Sequence, residues 1–169
     1  MGAIGPKIVY RNNETFSQNS SVKAIESVEW LITSATLTNL KAWKTIGGFD
    51  NKLFIDGVDK DFCFRLRQHG FNVIQCNEVE LSHELGNLKC RRILGKTIYV
   101  TNHSPKRKYY MVRNAIYLDR KHNTNGSFVY ILKIFIKTLA FEQNKILNLK
   151  QMLQGIKDGK KMMIKEREF

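Results

Sequence analysis

The sequence predicts an α/β fold that ends in a helical part. Short runs of β-branched and aromatic residues, such as FNVIQC at Phe71–Cys76, indicate strands, and a helical segment near Asp59 lies between them. From Pro105 onward, apolar residues recur every three to four positions, which is the spacing of amphipathic helices. We therefore expect an α/β part over residues 1–104 and a helical extension over residues 105–169.

The elements before residue 50 are predicted from short patterns. The strand-like run AIGPKIV is interrupted by Gly5-Pro6, the polar segment Arg11–Ser21 predicts a loop, and Ser27–Leu40 predicts a strand that enters a turn or short helix. The pair Gly47-Gly48 indicates a tight loop. Because the chain starts inside a strand-like run, we expect it to be the back portion of a longer protein.

The segment Asp59–His69 predicts a helix. Its first residue is an aspartate, Arg65 and Arg67 lie near its C-terminal end, and Gly70 follows as a stop signal. The C-terminal part predicts three more helices: KRKYYMVRNAIYLDRKH, then SFVYILKIFIKTLAF after a break, and then an amphipathic tail. The apolar residues of that tail are Ile146, Leu149, Leu153 and Ile156.

The composition indicates a folded protein with an anionic partner. Of the 169 residues, 43% are hydrophobic, which excludes a disordered chain, and the formal net charge is +13. Nucleic acid, an anionic membrane surface and a pyrophosphate-bearing substrate all fit this charge. The cysteines Cys63, Cys76 and Cys90 lack CxxC spacing and indicate reduced thiols of a cytosolic protein. No run reaches the roughly 20 apolar residues of a spanning helix.

The charges are unevenly distributed along the chain. Residues 50–84 carry seven of the fifteen acidic residues, whereas none lies between Glu84 and Asp119. That gap contains eight basic residues: Lys89, Arg91, Arg92, Lys96, Lys106, Arg107, Lys108 and Arg113. The pattern fits a site that handles a metal and a phosphate together, and a solvated basic face explains it equally well. Tyr109 and Tyr110 would also suit RNA stacking, but no recognised RNA motif surrounds them, so nucleic acid is not the expected partner.

The stretch FIDGVDKDF contains the candidate catalytic carboxylates Asp56, Asp59 and Asp61. A helix N-cap aspartate stabilises a helix by about 1 kcal/mol, which explains Asp59, and the helix dipole explains Asp61. Asp56, beside the flexible Gly57, has no such explanation. The DKD pattern resembles a metal-binding DxD, but a lysine separates its aspartates and it does not end an apolar strand.

His83 is the candidate metal ligand. It shares a predicted strand face with Val79 and Leu81, so it is expected to point inward. A histidine in such a position is more often a core residue than a ligand. To bind a metal it needs carboxylate partners that the sequence does not place beside it.

Ser127–Phe141 supports a second hypothesis, a basic module that binds a membrane surface and has no catalytic activity. The segment is strongly apolar, and Lys133 and Lys137 lie four residues apart on one face. Helices that lie in a headgroup layer have this composition. A helix that packs on its own domain would explain the same residues.

Three ordered motifs resemble those of one enzyme family. GGFDNKLFIDGVDKDFCFRLRQHGFNV, LSHELGN and KYYMVRNAIYLDRKH are similar to the C-terminal half of family 2 glycosyltransferases of the Rossmann-like GT-A fold. Rhamnosyltransferases that act on bacterial surface polysaccharides are the most similar subgroup, and NKILNLKQMLQGIKDGKK resembles their helical tail. The resemblance covers about Ala3–Lys160.

This resemblance implies an inverting transfer of a sugar, such as rhamnose, from a nucleotide-sugar to a hydroxyl of a polysaccharide or lipid-linked acceptor. A carboxylate acts as the general base, and a divalent metal, Mg²⁺ or Mn²⁺, neutralises the leaving diphosphate. It also implies a cytoplasmic protein, with a location at the inner face of the plasma membrane as an open alternative.

The motifs assign roles by position. The resemblance implies that Asp59 is the general base. Val58 replaces the family's usual glutamate, so Asp56 and Asp61 are possible substitutes. The resemblance also implies that His83 is a metal ligand. Contacts with phosphate or substrate fall on Arg113, Asn114, Tyr110, Gly48 and Asp50. The family's N-terminal half, which binds the nucleotide and supplies the metal-holding DxD, has no counterpart in this sequence. We therefore expect an incomplete donor and metal site.

Overall fold

The computed structural model describes residues 1–10, 23–83, 89–93 and 96–162. It is a mixed α/β structure with a helical C-terminal part, which confirms the predicted fold class. The strands are β1 Ala3–Tyr10, β2 Ile25–Ser27, β3 Leu37–Thr38, β4 Val73–His83, β5 Lys89–Ile93 and β6 Lys96–Val100. The helices are α1 Leu40–Thr45, α2 Val58–Gln68, α3 Pro105–His122, α4 Ser127–Phe141 and α5 Lys145–Lys161.

Some sequence predictions concern parts of the chain outside this description. The predicted loop at Arg11–Ser21 and the residues of LSHELGN after His83 are among them. The side chains of residues 89–93 and 96–99 in β5 and β6 also lie outside it, and they include Lys89, Cys90, Arg91, Arg92 and Lys96.

The chain divides into two compact units. The sheet unit comprises Met1–Lys52 and Val58–Leu85, and the helical unit comprises Leu53–Gly57 and Gly86–Phe169. The five residues Leu53–Gly57 therefore belong with the helices, although the sequence on both sides of them belongs with the sheet.

The sheet unit contains a four-stranded sheet in the order β2-β4-β1-β3. Its central strands β1 and β4 are parallel, and β2 and β3 pair antiparallel at the two edges. The register of the central pair shifts after Pro6, so that Pro6 pairs with Cys76 and Lys7 pairs with Glu80. Proline has no N–H to donate to a ladder, which explains a shift at this position. The predicted interruption at Gly5-Pro6 is thus a change of register inside one continuous strand.

The strand predicted over Ser27–Leu40 is wrong for most of its length. β2 ends at Ser27, β3 has two residues, and the backbone between them is irregular. An alternating strand buries every second side chain, whereas Leu31 is the one fully buried residue of this segment. Leu40 begins the six-residue α1, in agreement with the predicted short helix.

Helix α2 provides much of the core of the sheet unit. Its residues Phe62, Cys63 and Leu66 are buried in a cluster with Val73 of β4. Gly70 follows the helix with a φ of 76°, a conformation that glycine adopts without steric cost. The predicted stop signal is therefore confirmed.

The predicted inward face of the strand EVELSH is only partly correct. Val79 is 57% exposed, whereas Leu81 and His83 are half-buried. The register shift leaves Asn77–Val79 without pairing partners on β1. The alternation of apolar and polar residues in the sequence consequently does not correspond to alternating buried and exposed side chains in this part of β4.

In the helical unit, α5 packs closely along α3. A Cβ placed on Gly155 would lie 2.6 Å from the carbonyl oxygen of Tyr109, and one placed on Gly159 would lie 2.6 Å from that of Arg113. The buried face of α5 is formed by Asn148, Met152, Gly155 and Gly159. Only residues without a side chain allow two helix backbones to approach at these two positions.

The apolar residues that the sequence pattern places on one face of α5 coincide only partly with the buried face in the structure. Ile146 and Leu153 are 86% and 60% exposed, while Leu149 and Ile156 are partly buried against the core. A periodicity argument does not count glycine and asparagine as core residues. The pattern therefore indicates a face that is rotated away from the buried one.

A buried ion pair joins α3 to the connection between α4 and α5. The Nζ of Lys108 donates to Oε1 of Glu142 at 2.6 Å, and each side chain is 3% exposed. Thr138 Oγ1 and Asn148 Nδ2 donate to the other carboxylate oxygen. Buried charges are tolerated when they are paired and hydrogen-bonded, so this network fixes the joint between the helices.

Replacing Gly155 or Gly159 by alanine is expected to lower the free energy of unfolding by about 1–3 kcal/mol, because the new methyl group meets main-chain atoms that cannot move aside. Gly126→Ala is the matched control, since a Cβ placed there has no atom within 4 Å. Urea denaturation followed by circular dichroism measures all three variants. Equal stabilities of the Gly155 variant and the control would contradict the close approach of α3 and α5.

Glu142→Gln is expected to lower the free energy of unfolding by about 3–5 kcal/mol, because it leaves the charge of Lys108 buried without a counter-charge. The comparison variant is Glu80→Gln, which breaks the more exposed Lys7–Glu80 pair and is expected to cost less than about 1 kcal/mol. Urea denaturation followed by circular dichroism measures the loss of stability in each variant. A similarly small loss at both positions would rule out a structural role for the buried pair.

Candidate active site

The residues predicted to form the site divide into two sets, one in each unit. The helical unit contains Asp56, Tyr110, Arg113 and Asn114. The sheet unit contains Gly48, Asp50, Asp59, Asp61 and His83. The structure therefore assigns Asp56 to a different unit from the two aspartates that follow it in sequence.

Asn114 holds the segment Leu53–Gly57 to α3. Its side chain is buried, and its amide nitrogen donates to the carbonyl oxygens of Ile55 and Asp56, both at 2.7 Å. Its Oδ1 accepts a hydrogen bond from Nε of Arg113 at 2.8 Å. Both N–H groups of the amide are used, so donation from Asn114 to a phosphate, as the sequence predicts, would require one of the two bonds to main-chain carbonyls to be given up.

The segment bends sharply at Asp56 and Gly57, whose φ angles are 63° and 88°. A Cβ on Gly57 would lie 2.8 Å from Cδ1 of Leu118, so glycine is required there. The Asp56 carboxylate accepts two hydrogen bonds from Arg107, from Nε at 3.2 Å and from Nη2 at 3.1 Å. This two-point contact between guanidinium and carboxylate is a strong, directional form of ion pair.

His103, which the sequence motifs do not single out, belongs to the same cluster. Burial lowers its pKa below the usual value of 6.5, the charge of Arg107 lowers it further, and the charge of Asp56 opposes both effects. Burial also raises the pKa of Tyr130 to about 12, and the charge of Asp56 adds to that change. The sequence signal for His103 is its position just before Ser104, which caps α3.

Tyr110 lies between Phe54 and Arg113. Its ring centroid is 5.6 Å from that of Phe54, and the guanidinium carbon of Arg113 is 4.7 Å from the same ring centroid. Such cation–π contacts contribute about 0.5–1 kcal/mol at partly exposed sites. Together with the bond to Asn114, they fix the orientation of the guanidinium that the sequence assigns to phosphate binding.

Asp59 lies in the first turn of α2 and not at its N-cap. The helix predicted over Asp59–His69 begins at Val58, so the cap interpretation is wrong. The Oδ1 of Asp59 instead accepts a hydrogen bond at 3.1 Å from the main-chain N–H of Thr33, which is 26 residues earlier in the chain. The half-buried carboxylate thus fixes a loop, and the start of the helix stabilises its negative charge.

Asp61 is buried and paired within α2. Its Oδ2 accepts a hydrogen bond from Nε of Arg65 at 2.8 Å, and Nη2 of the same arginine lies 2.8 Å from that oxygen as an ion pair. The same arginine donates through Nη1 to the carbonyl oxygen of Ile46 at 2.7 Å. The pair therefore ties α2 to the end of α1 and uses the Asp61 carboxylate for that purpose.

Gly48 and Asp50 shape the turn after α1. Gly48 has a φ of 70°, and a Cβ placed on it would lie 2.6 Å from the Trp43 ring. The Oδ1 of Asp50 accepts a hydrogen bond from the N–H of Lys52 at 3.0 Å. Both residues therefore have a local structural role, and their contacts with substrate stay predictions.

His83 is the last residue of β4, where it pairs with Tyr10 of β1 and is half-buried. A divalent metal needs several oxygen or nitrogen ligands around it. In the part of the chain that the structure describes, no group of three or more histidine, cysteine, aspartate or glutamate residues could hold a metal ion. The described residues do not form a complete metal site, and a metal at His83 would need ligands from outside them.

Comparison with curated proteins confirms the resemblance to sugar transferases. The chain is similar to the dTDP-rhamnosyl transferase RfbF of Shigella flexneri, with 32% identity over 133 residues. The alignment covers 76% of this chain and 44% of that protein, so the chain spans less than half the length of this relative. No family model matches the chain, and no solved structure matches it.

Arg107→Gln is expected to raise the pKa of His103 toward its usual value, because the guanidinium disfavours a charged imidazole. Asp56→Asn is expected to lower that pKa further, because it removes a negative charge that favours the imidazolium. NMR titration of the His103 ring protons measures both shifts, with Lys106→Gln as a control on the exposed side of α3. Shifts of the same sign in the two variants would contradict the proposed cluster.

Proposed function

We propose that this chain is the acceptor-side portion of an inverting glycosyltransferase. The enzyme would move a sugar from a nucleotide-sugar to a hydroxyl group of a polysaccharide or lipid-linked acceptor. The similarity to a protein named a dTDP-rhamnosyl transferase carries this proposal and makes dTDP-rhamnose the first donor to test. Because the chain spans 44% of that relative, full activity is proposed to require the remainder of such a protein.

In the proposed reaction, the acceptor oxygen attacks C1 of the sugar from the side opposite the diphosphate. The bond between C1 and the phosphate oxygen breaks as the new glycosidic bond forms, and the nucleoside diphosphate leaves with the electron pair. The hydroxyl proton passes to a carboxylate that acts as general base. A single displacement of this kind inverts the configuration at C1.

We assign the general base to Asp59 from the partners of the three carboxylates. Asp56 and Asp61 are each paired with an arginine, and either would have to leave that ion pair to accept a proton. Asp59 accepts a main-chain hydrogen bond from Thr33 on one oxygen, and its side chain is half-buried. Asp61 is proposed to position α2, which carries Asp59 in its first turn, and Asp56 is proposed to fix the segment Leu53–Gly57 of the helical unit.

Positive charge for the leaving diphosphate is proposed to come from Arg113, whose orientation is fixed by Tyr110 and Asn114. A guanidinium suits two-point binding of phosphate oxygens. A divalent metal is proposed for the whole enzyme, with His83 as one ligand and the others supplied from outside the described residues. When bound, it would neutralise charge on the departing diphosphate.

The test joins this chain to the N-terminal portion of the Shigella relative and measures sugar transfer from dTDP-rhamnose. Asp59→Asn is expected to lower kcat by about 100- to 10,000-fold, the usual contribution of general base catalysis, without changing thermal stability. Asp56→Asn is the matched comparison and is expected to cost less in kcat. Near-normal turnover of both Asp59→Asn and Asp59→Ala would contradict the base assignment. Absence of transfer by the unmutated fusion protein would contradict the proposed function.

The second hypothesis, a membrane-binding module without catalytic activity, is not favoured. The relative matched over 76% of this chain is named a transferase, and a purely structural module would not be expected to share that similarity. A location at the inner face of the plasma membrane stays a prediction.

A further inference from the structure

Helix α4 has two apolar sides, and one of them is exposed. Ile134 and Thr138 are buried in the helical unit. Five large apolar side chains on the other side are between 44% and 75% exposed, and we call them the outer stripe: Phe128, Val129, Leu132, Ile136 and Leu139. Contiguous exposed apolar patches mark protein or membrane interaction sites, so the outer stripe indicates a partner.

Two lysines border the outer stripe. At about 100° per residue, the five apolar side chains occupy an arc of about 100° on the helix surface, and Lys133 and Lys137 lie about 40° and 80° beyond one edge of that arc. Both lysines are exposed, and α4 contains no acidic residue. An apolar stripe with lysines at its border suits a lipid headgroup layer, because the aliphatic stems lie along the apolar surface while the ammonium groups reach phosphates.

The charge around α4 points to the same kind of partner. Residues 105–162 contain thirteen lysines and arginines and three acidic residues, a formal net charge of +10. Each acidic residue is engaged inside the helical unit, in the contacts Glu142–Lys108, Asp119–Ser127 and Asp158–Tyr109. The field near the outer stripe is therefore dominated by positive charge.

We infer that the outer stripe of α4 docks on a membrane surface that contains anionic phospholipids. The apolar side chains enter the boundary between headgroups and acyl chains, and Lys133 and Lys137 bind lipid phosphates. The helix lies on the surface, since none of the described helices is long and apolar enough to cross a bilayer. A second copy of this chain is a poor occupant, because two surfaces with the same strong positive charge would meet. The inference rests on α4 alone and does not depend on sugar transfer.

Flotation of the purified chain with lipid vesicles tests the inference. Vesicles of phosphatidylcholine alone are compared with vesicles that also contain phosphatidylglycerol as the anionic lipid. We expect binding at least about tenfold stronger to the anionic vesicles, and weaker binding as the salt concentration rises.

Two sets of variants locate the contact. Leu132→Glu and Ile136→Glu are each expected to reduce binding to anionic vesicles by about tenfold or more, because they place a carboxylate in the outer stripe. The double variant Lys133→Gln/Lys137→Gln is expected to remove most of the preference for anionic lipid. Leu40→Glu is the matched control, because Leu40 is an exposed helical leucine of the sheet unit. Circular dichroism checks that every variant keeps its helical content.

Wild-type binding by Leu132→Glu and Ile136→Glu would overturn the inference, and so would an equal loss in Leu40→Glu. Analytical ultracentrifugation without lipid supplies the other decisive outcome. A dimer that dissociates in Leu132→Glu would show that a second copy of the chain, and not a membrane, covers the outer stripe. A monomer at all concentrations together with loss of flotation in the stripe variants would support membrane docking.

Discussion

The side-chain amide of Asn114 is the interaction on which the helical part of the candidate site depends. Its two hydrogen bonds to main-chain carbonyls hold the segment Leu53–Gly57 on α3 and stabilise the left-handed bend at Asp56. The bend brings the carboxylate to Arg107, and the charges of this pair act on the pKa of His103. One buried amide therefore determines where the Asp56 carboxylate lies relative to Arg107 on α3. The chain continues from this segment directly into α2, whose first turn carries Asp59.

The three neighbouring aspartates have different hydrogen-bond and ion-pair partners, and these partners distinguish their roles better than their spacing does. Asp61 is buried with Arg65 and serves the packing of α2, and Asp56 is paired with Arg107. Desolvation makes an unpaired carboxylate costly, so buried aspartates are found with cations or with N–H donors. Asp59 has an N–H donor. Of the three carboxylates it is the one whose identified partner is a main-chain N–H and not an arginine, and this difference is the reason for proposing it as the base.

Elements with strong local signals could be predicted from the sequence, and long-range arrangements could not. The break predicted between the first two C-terminal helices is residues 123–126, where Asn123 adopts the left-handed conformation that ends α3, and the end of α2 was marked by Gly70. The buried face of α5 was misjudged because Gly155 contributes to packing by having no side chain. The contact of Arg107 with Asp56 joins residues 51 positions apart, and no local pattern encodes it. The lowered pKa of His103 comes first from its burial and then from the charge of Arg107, and burial is a tertiary property that no local motif encodes.

The central strands of the sheet extend beyond their neighbours at one end. β3 pairs with β1 at Ala3 and Ile4, and β2 pairs with β4 over three residues, whereas the two central strands continue together to Tyr10 and His83. Among the described residues, this end is a two-stranded parallel ribbon whose outer sides have no strand partner. The Lys7–Glu80 ion pair places charge there, and charged side chains discourage indiscriminate strand pairing. A strand that paired beside residues 7–10 or 80–83 would therefore not compete with β2 or β3 for their main-chain hydrogen bonds.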